Sequence, residues 1–478
     1  MIRGIAFPAL AALLLAGCAS VPHVAPQVAQ VEPSALGLGS GPAAPIADDW
    51  WSAFGDPQLD RLVAMGLAGN PDLDSALARV RAAQAQVEAA NGELLPSVNG
   101  SVQLSRAHIA ERLLPPPIGG STGNMGIAVA SLGWDLDLFG RHHDLLRQAA
   151  MSAQAARLDA AAARLAIAVS IAQTYVGLAE AERQIAVADG FVRTRQQALA
   201  LVHDRIRSQL ASQFDLTQAE TLVAEAQQAR IRAVRQRDVL VHALAALVGR
   251  GADFYAEIGA PALALAQPPA VPAALPADLL ARRPDLLAGQ ARIDAAMQGR
   301  RAAAAAFLPD ISISALAGLT TIGLENFFKG SAVSAMGGGG ISLPIFEGGK
   351  LRAQYRGATA DLDLAVASYN KSVLGAVHEA ADSITNVQAA DADVAAQAAI
   401  VNGLRETVRL DRVRVDSGLG SRLDAIESGF RLLEAEQALA GLQAQALARR
   451  IQLIAALGGG FDPAAPLQAA AAKGEPQS

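Results

Sequence analysis

Ser208-Gln209-Leu210-Ala211-Ser212-Gln213-Phe214-Asp215 returns 209 residues later as Ser417-Gly418-Leu419-Gly420-Ser421-Arg422-Leu423-Asp424. Both copies close on Ser-x-x-Asp, the spacing of a helix cap with an acid three residues in. Both sit inside long stretches without proline, which breaks helix interiors. There is none between Pro117 and Pro261, and none between Pro344 and Pro463. Each octet therefore reads as a tight turn between two long helices. Asp144 to about Arg207 would form one helix of roughly 95 Å at 1.5 Å per residue. Leu158, Leu165, Ala172 and Ala179 recur along it every seven residues, a coiled-coil seam with small side chains for close approach.

Outward from the two turns the repetition widens. Ala246-Leu247-Val248-Gly249 is matched by Ala455-Ala456-Leu457-Gly458, and Asn70-Pro71-Asp72-Leu73 by Arg283-Pro284-Asp285-Leu286. Leu94-Leu95-Pro96-Ser97 is matched by Phe307-Leu308-Pro309-Asp310, and Asp137-Leu138-Phe139-Gly140 by Pro344-Ile345-Phe346-Glu347. Collinear matches mean a duplicated unit, with a period far too long for a solenoid. Each copy predicts a helical segment (71–93 and 284–306), a break at Pro96 or Pro309, two strands around a loop, a very long helix, a turn and a second helix.

The expected organisation is a signal peptide over 1–17, an extended tether over 18–48, a first repeat over 49–260 and a Pro-rich linker over 261–278. A second repeat over 279–460 and a disordered tail over 461–478 complete it. Strands are expected near 98–106, 125–138, 310–320 and 335–346. Long helices are expected near 141–208, 213–249, 348–416 and 421–457.

Val98, Val102 and Leu104 alternate with Asn99, Ser101, Gln103 and Ser105, and Ile311 to Ala315 alternates likewise. In the second strand Met125, Ile127 and Val129 are odd while Leu132, Trp134, Leu136 and Leu138 are even. A bulge near Ala130, or the strand leaving its sheet there, would produce that change of parity. Tilted strands of this length cross a bilayer, although soluble hairpins with one wet face alternate too. Four strands cannot close a transmembrane barrel, whose smallest members have eight. Open edges do not occur in lipid, so spanning strands require several chains to share one barrel.

Cys18, within Leu15-Ala16-Gly17-Cys18-Ala19, is the only cysteine in the chain. It follows Arg3 and an apolar run over 4–17, the charge and length of a secretory signal. The tetrapeptide resembles the bacterial lipobox, which implies cleavage before Cys18 and acylation of its thiol and new amino group. A single cysteine excludes a disulfide framework and a cysteine metal site. Aromatic residues are 4% while hydrophobic residues are 52%, so the apolar content is largely alanine that packs helices closely. A net charge of −6 argues against nucleic acid as a partner.

These features together resemble the outer-membrane factor family of TolC-like channels, and within it the NodT-type lipoprotein ducts of RND efflux systems. The resemblance covers nearly all of 15–460. It is carried by the lipobox, Asp49-Trp50-Trp51, Phe54-Gly55-Asp56-Pro57-Gln58-Leu59 and Asn70-Pro71-Asp72-Leu73. Trp134-Asp135-Leu136-Asp137-Leu138-Phe139-Gly140-Arg141, Arg282-Arg283-Pro284-Asp285 and Leu343-Pro344-Ile345-Phe346-Glu347-Gly348-Gly349 extend it. It implies an α+β membrane protein working as a homotrimer. Three chains would build a twelve-stranded β-barrel continuous with a periplasmic α-helical barrel. It also implies a passive exit duct, not an enzyme, in the outer membrane of a Gram-negative bacterium. The implied partners are a periplasmic adaptor, an inner-membrane RND transporter and outer-membrane lipid. No cofactor is implied beyond the covalent lipid on Cys18. The competing expectations are a duct for type I protein secretion and a pore-free periplasmic adaptor lipoprotein.

The resemblance places the closed periplasmic end at the two turns, Leu210 and Ser212 in one and Gly418, Leu419 and Ser421 in the other. Asp424 and Glu427 then match acidic positions that ring a constriction, with Asp215 as a further candidate. A ring of carboxylates on a threefold axis favours cations. Helix capping alone accounts equally for Asp215 and Asp424, but not for Glu427, whose counterpart is Gln218. Other spellings carry less. Gly119-Gly120-Ser121-Thr122-Gly123 lacks the strand-turn-helix setting of a hydrolase nucleophile. Glu347-Gly348-Gly349-Lys350 lacks the spacing of a phosphate loop. His142 and His143 are neighbours that do not share a helix face.

Overall fold

The computed structural model describes residues 21–32, 46–110, 122–263 and 279–462, with a few isolated positions between them. The signal peptide, Cys18, Ser121, part of the tether, most of the 261–278 linker and nearly all of the tail lie outside the described residues. The elements, in chain order, are α1 (Pro57–Gly69), α2 (Pro71–Gly92), β1 (Ser97–His108), β2 (Thr122–Asp135), α3 (Arg141–Arg207) and α4 (Gln213–Leu247). The second half gives α5 (Pro284–Ala305), β3 (Asp310–Ile322), β4 (Val333–Ser342), α6 (Lys350–Asp416) and α7 (Arg422–Ala456). The chain forms two compact units, one from residues 1–30, 80–156 and 289–370, the other from the remainder.

The first unit holds one antiparallel sheet in the order β1-β2-β3-β4, with β1 and β4 as open edges. Its registers are unbroken. Ser97 to His108 pairs residue by residue with Gly133 to Thr122. Met125 to Asp135 pairs with Ile322 to Ser312, and Asp310 to Leu319 with Ser342 to Val333. Neither a bulge near Ala130 nor a departure of the strand from its sheet there occurs. The parity change arises because Met125, Ile127 and Val129, with Ile322, Leu316 and Met336 on the same surface, put apolar side chains on the face that also carries the polar ones. Two strand ends also differ from expectation. β2 stops at Asp135, because Asp137 takes a left-handed φ of 46° that ends the extended run. β4 stops at Ser342, opposite the first residue of β3, so 343–346 have no strand to pair with.

Directly opposed residues share a face, so the registers sort the sheet into two surfaces. One carries Val98, Leu132 and Ala315 in one row and Val102, Ala128, Leu319 and Val333 in another. This apolar face runs from Ile311–Ile341 to Leu104–Gly126–Thr321. That is roughly 34 Å of strand, or about 26 Å in height at a typical barrel tilt. Arg106, Asn124, His108 and Thr122 end it with polar side chains. The opposite face carries Asn99, Ser101, Gln103, Ser131, Ser314 and Ser334. Aromatic rings mark both limits of the apolar band. Trp134 donates its Nε1–H to Leu94 O at 3.0 Å. At the other limit the Phe327 ring covers Gly126, where an added Cβ would lie 2.7 Å from it.

The second unit has the main core. Leu59, Leu62 and Val63 of α1 pack with Ile171, Ala172, Tyr175 and Leu178 of α3 and Leu244 of α4. Leu447 and Ile451 of α7 join them. Each fully buried large side chain contributes roughly 1.5–3 kcal/mol. Among the described residues one helical window, within α3, is apolar enough to cross a membrane. Its Ile167, Ala168 and Ile171 are buried in this core. Leu158, Ala172 and Ala179 of the seven-residue seam are buried as well.

The duplication persists at atomic detail. Gly249 and Gly458 end α4 and α7 with φ of 73° and 96°. An added Cβ at Gly249 would lie 2.1 Å from Gly69 O, and one at Gly458 2.2 Å from Arg282 O. The next residue serves the same helix end. Asn70 donates its Nδ2–H to Leu247 O at 2.8 Å while its Oδ1 accepts from Asp72 N, capping α2. Arg283 donates to Ala456 O at 2.9 Å and pairs with Asp285 and Glu379. The Asn-Pro-Asp and Arg-Pro-Asp motifs thus join the end of one helix to the start of another.

Candidate functional site

Both turns close their long helices in the same way. After α3, Gln209 takes a φ of 59°, with Leu210 N donating to Arg205 O at 2.7 Å and Gln209 N to Ile206 O at 2.9 Å. After α6, Gly418 takes a φ of 72°, with Leu419 N donating to Arg414 O at 2.8 Å and Gly418 N to Val415 O at 3.0 Å. This is the Schellman arrangement, which commonly tucks the next apolar residue back onto its own helix. Here that residue stays in the open. Leu210 is 68% exposed and Leu419 is 76% exposed, with Phe214 at 74% beside the first turn. Two exposed apolar knuckles at equivalent positions need a partner surface or carry a solvation cost.

The two caps that follow differ. Ser212 and Asp215 form a complete capping box: Asp215 N donates to Ser212 Oγ, and Ser212 N donates to Asp215 Oδ2 at 2.7 Å. The Ser212 hydroxyl donates to the same carboxylate at 2.8 Å. These bonds, with Arg205 adding a smaller attraction, hold the Asp215 carboxyl below the usual aspartate range. Ser421 instead accepts from Leu423 N at 3.1 Å, and no reciprocal bond from Asp424 closes the ring. Among the described residues the Asp424 carboxylate has no hydrogen-bond or ion-pair partner and is exposed. Glu427, one turn on and on the same face, lies 3.9 Å from Arg431 and is also exposed. Asp215 is thus committed to its own helix, while Asp424 and Glu427 present charge outward. Arg414 lies 3.8 Å from Asp411 on its own helix.

No local motif marks the contacts that join α3 to α7 in this unit. Arg195 stacks its guanidinium over the Phe430 ring at 3.6 Å, and Phe191 stacks on the same ring at 6.0 Å. Farther along, Gln437 donates to Gln184, which donates to Glu180. Burial holds the Glu180 carboxyl above its usual range. The FGDPQL stretch also gains a reason. Buried Asp56 caps α1, accepts from Tyr175 Oη at 2.8 Å and accepts from Ala262 N at 2.8 Å. Burial and that aspartate push the Tyr175 phenol well up.

No group of three or more His, Cys, Asp or Glu able to hold a metal occurs among the described residues. His143 lies 2.5 Å from Asp137, whose carboxylate also accepts from His142 N and His143 N, while His142 lies 3.8 Å from Asp135. The histidine pair therefore anchors the start of α3. Among the described residues the geometry brings no nucleophile together with a base and forms no phosphate cradle. What it offers is a two-faced sheet with open edges, long helices and two exposed turns.

Comparison with known proteins gives the same picture. Residues 62–250 and 275–459 match the family described as outer membrane efflux protein, one block for each repeat. The chain is 30% identical over 463 residues to the solvent efflux pump outer membrane protein SrpC of Pseudomonas putida, covering 95% of this chain and 98% of that one. It is 31% identical over 470 residues to the multidrug resistance outer membrane protein MdtP of Escherichia coli O6:H1, covering 95% of each. Among solved structures, the outer membrane protein VceC of Vibrio cholerae superimposes with a TM-score of 0.79 at 29% identity, over 88% of this chain and all of that one.

Proposed function

The chain belongs to the outer membrane efflux protein family, whose members are channels of the outer membrane and not enzymes, and we propose that it is the passive exit duct of a tripartite RND-type pump. The observation that carries this reading is the sheet. Its apolar face matches the height of a bilayer core, its other face carries most of the sheet's polar side chains, and both edge strands are unpaired. A lone sheet of this kind leaves backbone donors and acceptors bare in hydrocarbon, each costing several kcal/mol. Pairing β4 of one chain with β1 of the next removes the edges. Three chains then give twelve strands, with the polar faces lining a water-filled lumen.

The exposed leucines at the turns support a docking role toward a periplasmic adaptor, with the inner-membrane transporter beyond it. Relatives named for solvent efflux and multidrug resistance support small toxic compounds as cargo. Acylation at Cys18 would add a second anchor in the same membrane. Six carboxylates from Asp424 and Glu427 of three chains would make the periplasmic end cation-preferring. The test is purified full-length protein in planar bilayers, with its mass in detergent measured in parallel. A trimer conducting with cation preference supports the proposal. A monomer without conductance would sink it.

A further inference from the structure

The face of the sheet that the duct reading turns toward the lumen is divided lengthwise. Between Asn99 and Ser105, β1 gives it only polar side chains, Asn99, Ser101, Gln103 and Ser105. In register opposite the last three, β2 presents Val129, Ile127 and Met125. At one end Ile322 of β3 lies opposite Met125 and extends the apolar side chains sideways. At the other end Leu316 of β3 and Met336 of β4 do the same, opposite Ser131. From the row of Ser131 to the row of Met125 is six residues of strand, roughly 20 Å. Met336 is 68% and Ile322 44% exposed, and the other four apolar side chains are half-buried.

The interior of a channel-forming barrel is ordinarily polar. Six apolar side chains per chain in a water-filled bore therefore carry a solvation cost, and apolar patches rimmed by polar residues mark binding surfaces. Twelve strands about 4.8 Å apart and tilted about 40° enclose a backbone ring roughly 24 Å across. A ring of that width stays wet with side chains on both walls, so the apolar strip is not a seal. Around the lumen, three apolar strips would alternate with three polar ones. Opposed side chains on β1 and β2 stand within about 5 Å of each other. A molecule that is apolar at one end and polar at the other can therefore satisfy both at once, its apolar part along Val129, Ile127 and Met125 and its polar part against the β1 amides and hydroxyls.

We propose that Met125, Ile127 and Val129 form an apolar lane in the lumen wall, along which small amphiphilic molecules bind in passing, their polar part held by β1. The placement of this lane in the lumen rests on the duct reading. Full-length trimers in planar bilayers test it, with butyl, hexyl and octyl glucoside as probes below their micelle concentrations. Their neutral heads keep the acidic second turn from acting as a competing site. Interruptions of the open-channel current should lengthen with the tail, at least threefold from butyl to octyl glucoside. Ile127→Ser together with Val129→Ser should shorten the octyl glucoside interruptions several-fold. Gln103→Leu carries the apolar surface onto β1 opposite Ile127 and should lengthen them several-fold, so the test survives a folding defect in the serine variant. Interruptions independent of tail length in a conducting trimer would overturn the lane and leave the duct. So would interruptions that respond to tail length but are unmoved by Gln103→Leu and, where it folds, by the serine variant. An unaltered protein that does not conduct would overturn the duct reading itself, and the lane with it.

Discussion

Asp215 and Asp424 hold the same place in the two turns, yet only Asp215 returns a hydrogen bond to its cap. Ser212→Ala should therefore loosen the start of α4 more than Ser421→Ala loosens the start of α7, because it removes two hydroxyl bonds, one from Asp215 N and one to the Asp215 carboxylate, where Ser421→Ala removes one. Amide exchange over 213–218 should rise several-fold in the first variant, and less over the matching 422–427 in the second. The pH dependence follows from the lowered Asp215 carboxyl. A carboxylate with a depressed folded value stabilises the fold above the unfolded value of about 3.9, and that contribution disappears as pH falls through the folded value. Protection factors over 213–218 should thus fall below about pH 4.

The free carboxylate at the second turn has a different consequence. With no partner of its own, Asp424 leaves its charge to the solvent it faces, and Glu427 adds to it. Asp424→Asn together with Glu427→Gln should reduce the cation preference read from reversal potentials, while Asp215→Asn should leave it nearly unchanged. Equal effects from both changes would remove the distinction between the two turns.

Gly249 and Gly458 test whether the duplicated joints matter equally. Each has a positive φ and a carbonyl where a side chain would go. Gly458→Ala should cost ~1–3 kcal/mol from the backbone alone, with the clash in addition. Asn70→Ala should cost a similar amount by stranding the Leu247 carbonyl and the Asp72 amide. Thermal melts followed by helical circular dichroism check both, against Gly357→Ala, where nothing lies within 4 Å.

The architecture was legible because its signals are long. Proline-free runs, a repeated octet and strict alternation in β1 each span many residues and agree across two copies. What the sequence hid is short or depends on distant partners. The parity change in β2 suggested a bulge, because a patch of apolar side chains on a polar face and a shift of register look alike in one strand; only the pairing with β1 and β3 separates them. Asp215 and Asp424 share the same Ser-x-x-Asp spelling, and the cap closes or stays open according to which amide the serine engages. Asp363 and Arg300 carry no local motif. Their partners, Gln27 and Val24, lie 336 and 276 residues away.

Glu180 offers a second pH-dependent outcome of opposite sign. Burial raises its carboxyl, with Gln184 partly offsetting this. A raised acid favours the folded state while protonated, below its unfolded value, and that advantage is lost as pH rises through the folded value. Glu180→Gln should therefore raise the melting temperature at pH 7 and leave it little changed near pH 4. A lower melting temperature at pH 7 would mean that the ionised side chain has a partner in the assembled channel.

Ala130 and Ser131 are neighbours in a central strand and project to opposite faces, so together they test which face meets lipid. Ala130 sits in the middle row of the apolar band with Gly100, Ala317 and Ala335. Arginine there would place a charge near the bilayer midplane, at a cost of roughly 2–4 kcal/mol. Ser131 opposes Asn99 and Leu316 on the polar face, where an arginine can extend into water. Ala130→Arg should reduce the yield of heat-resistant trimer and lower its urea midpoint in lipid vesicles. Ser131→Arg should leave assembly nearly intact and lower cation conductance, since the new charge stands in the lumen. The reverse pattern, with Ser131→Arg blocking assembly and Ala130→Arg changing conductance, would turn the sheet inside out. Equal tolerance of both would mean that neither face is buried in hydrocarbon, and the sheet would then not be a membrane barrel.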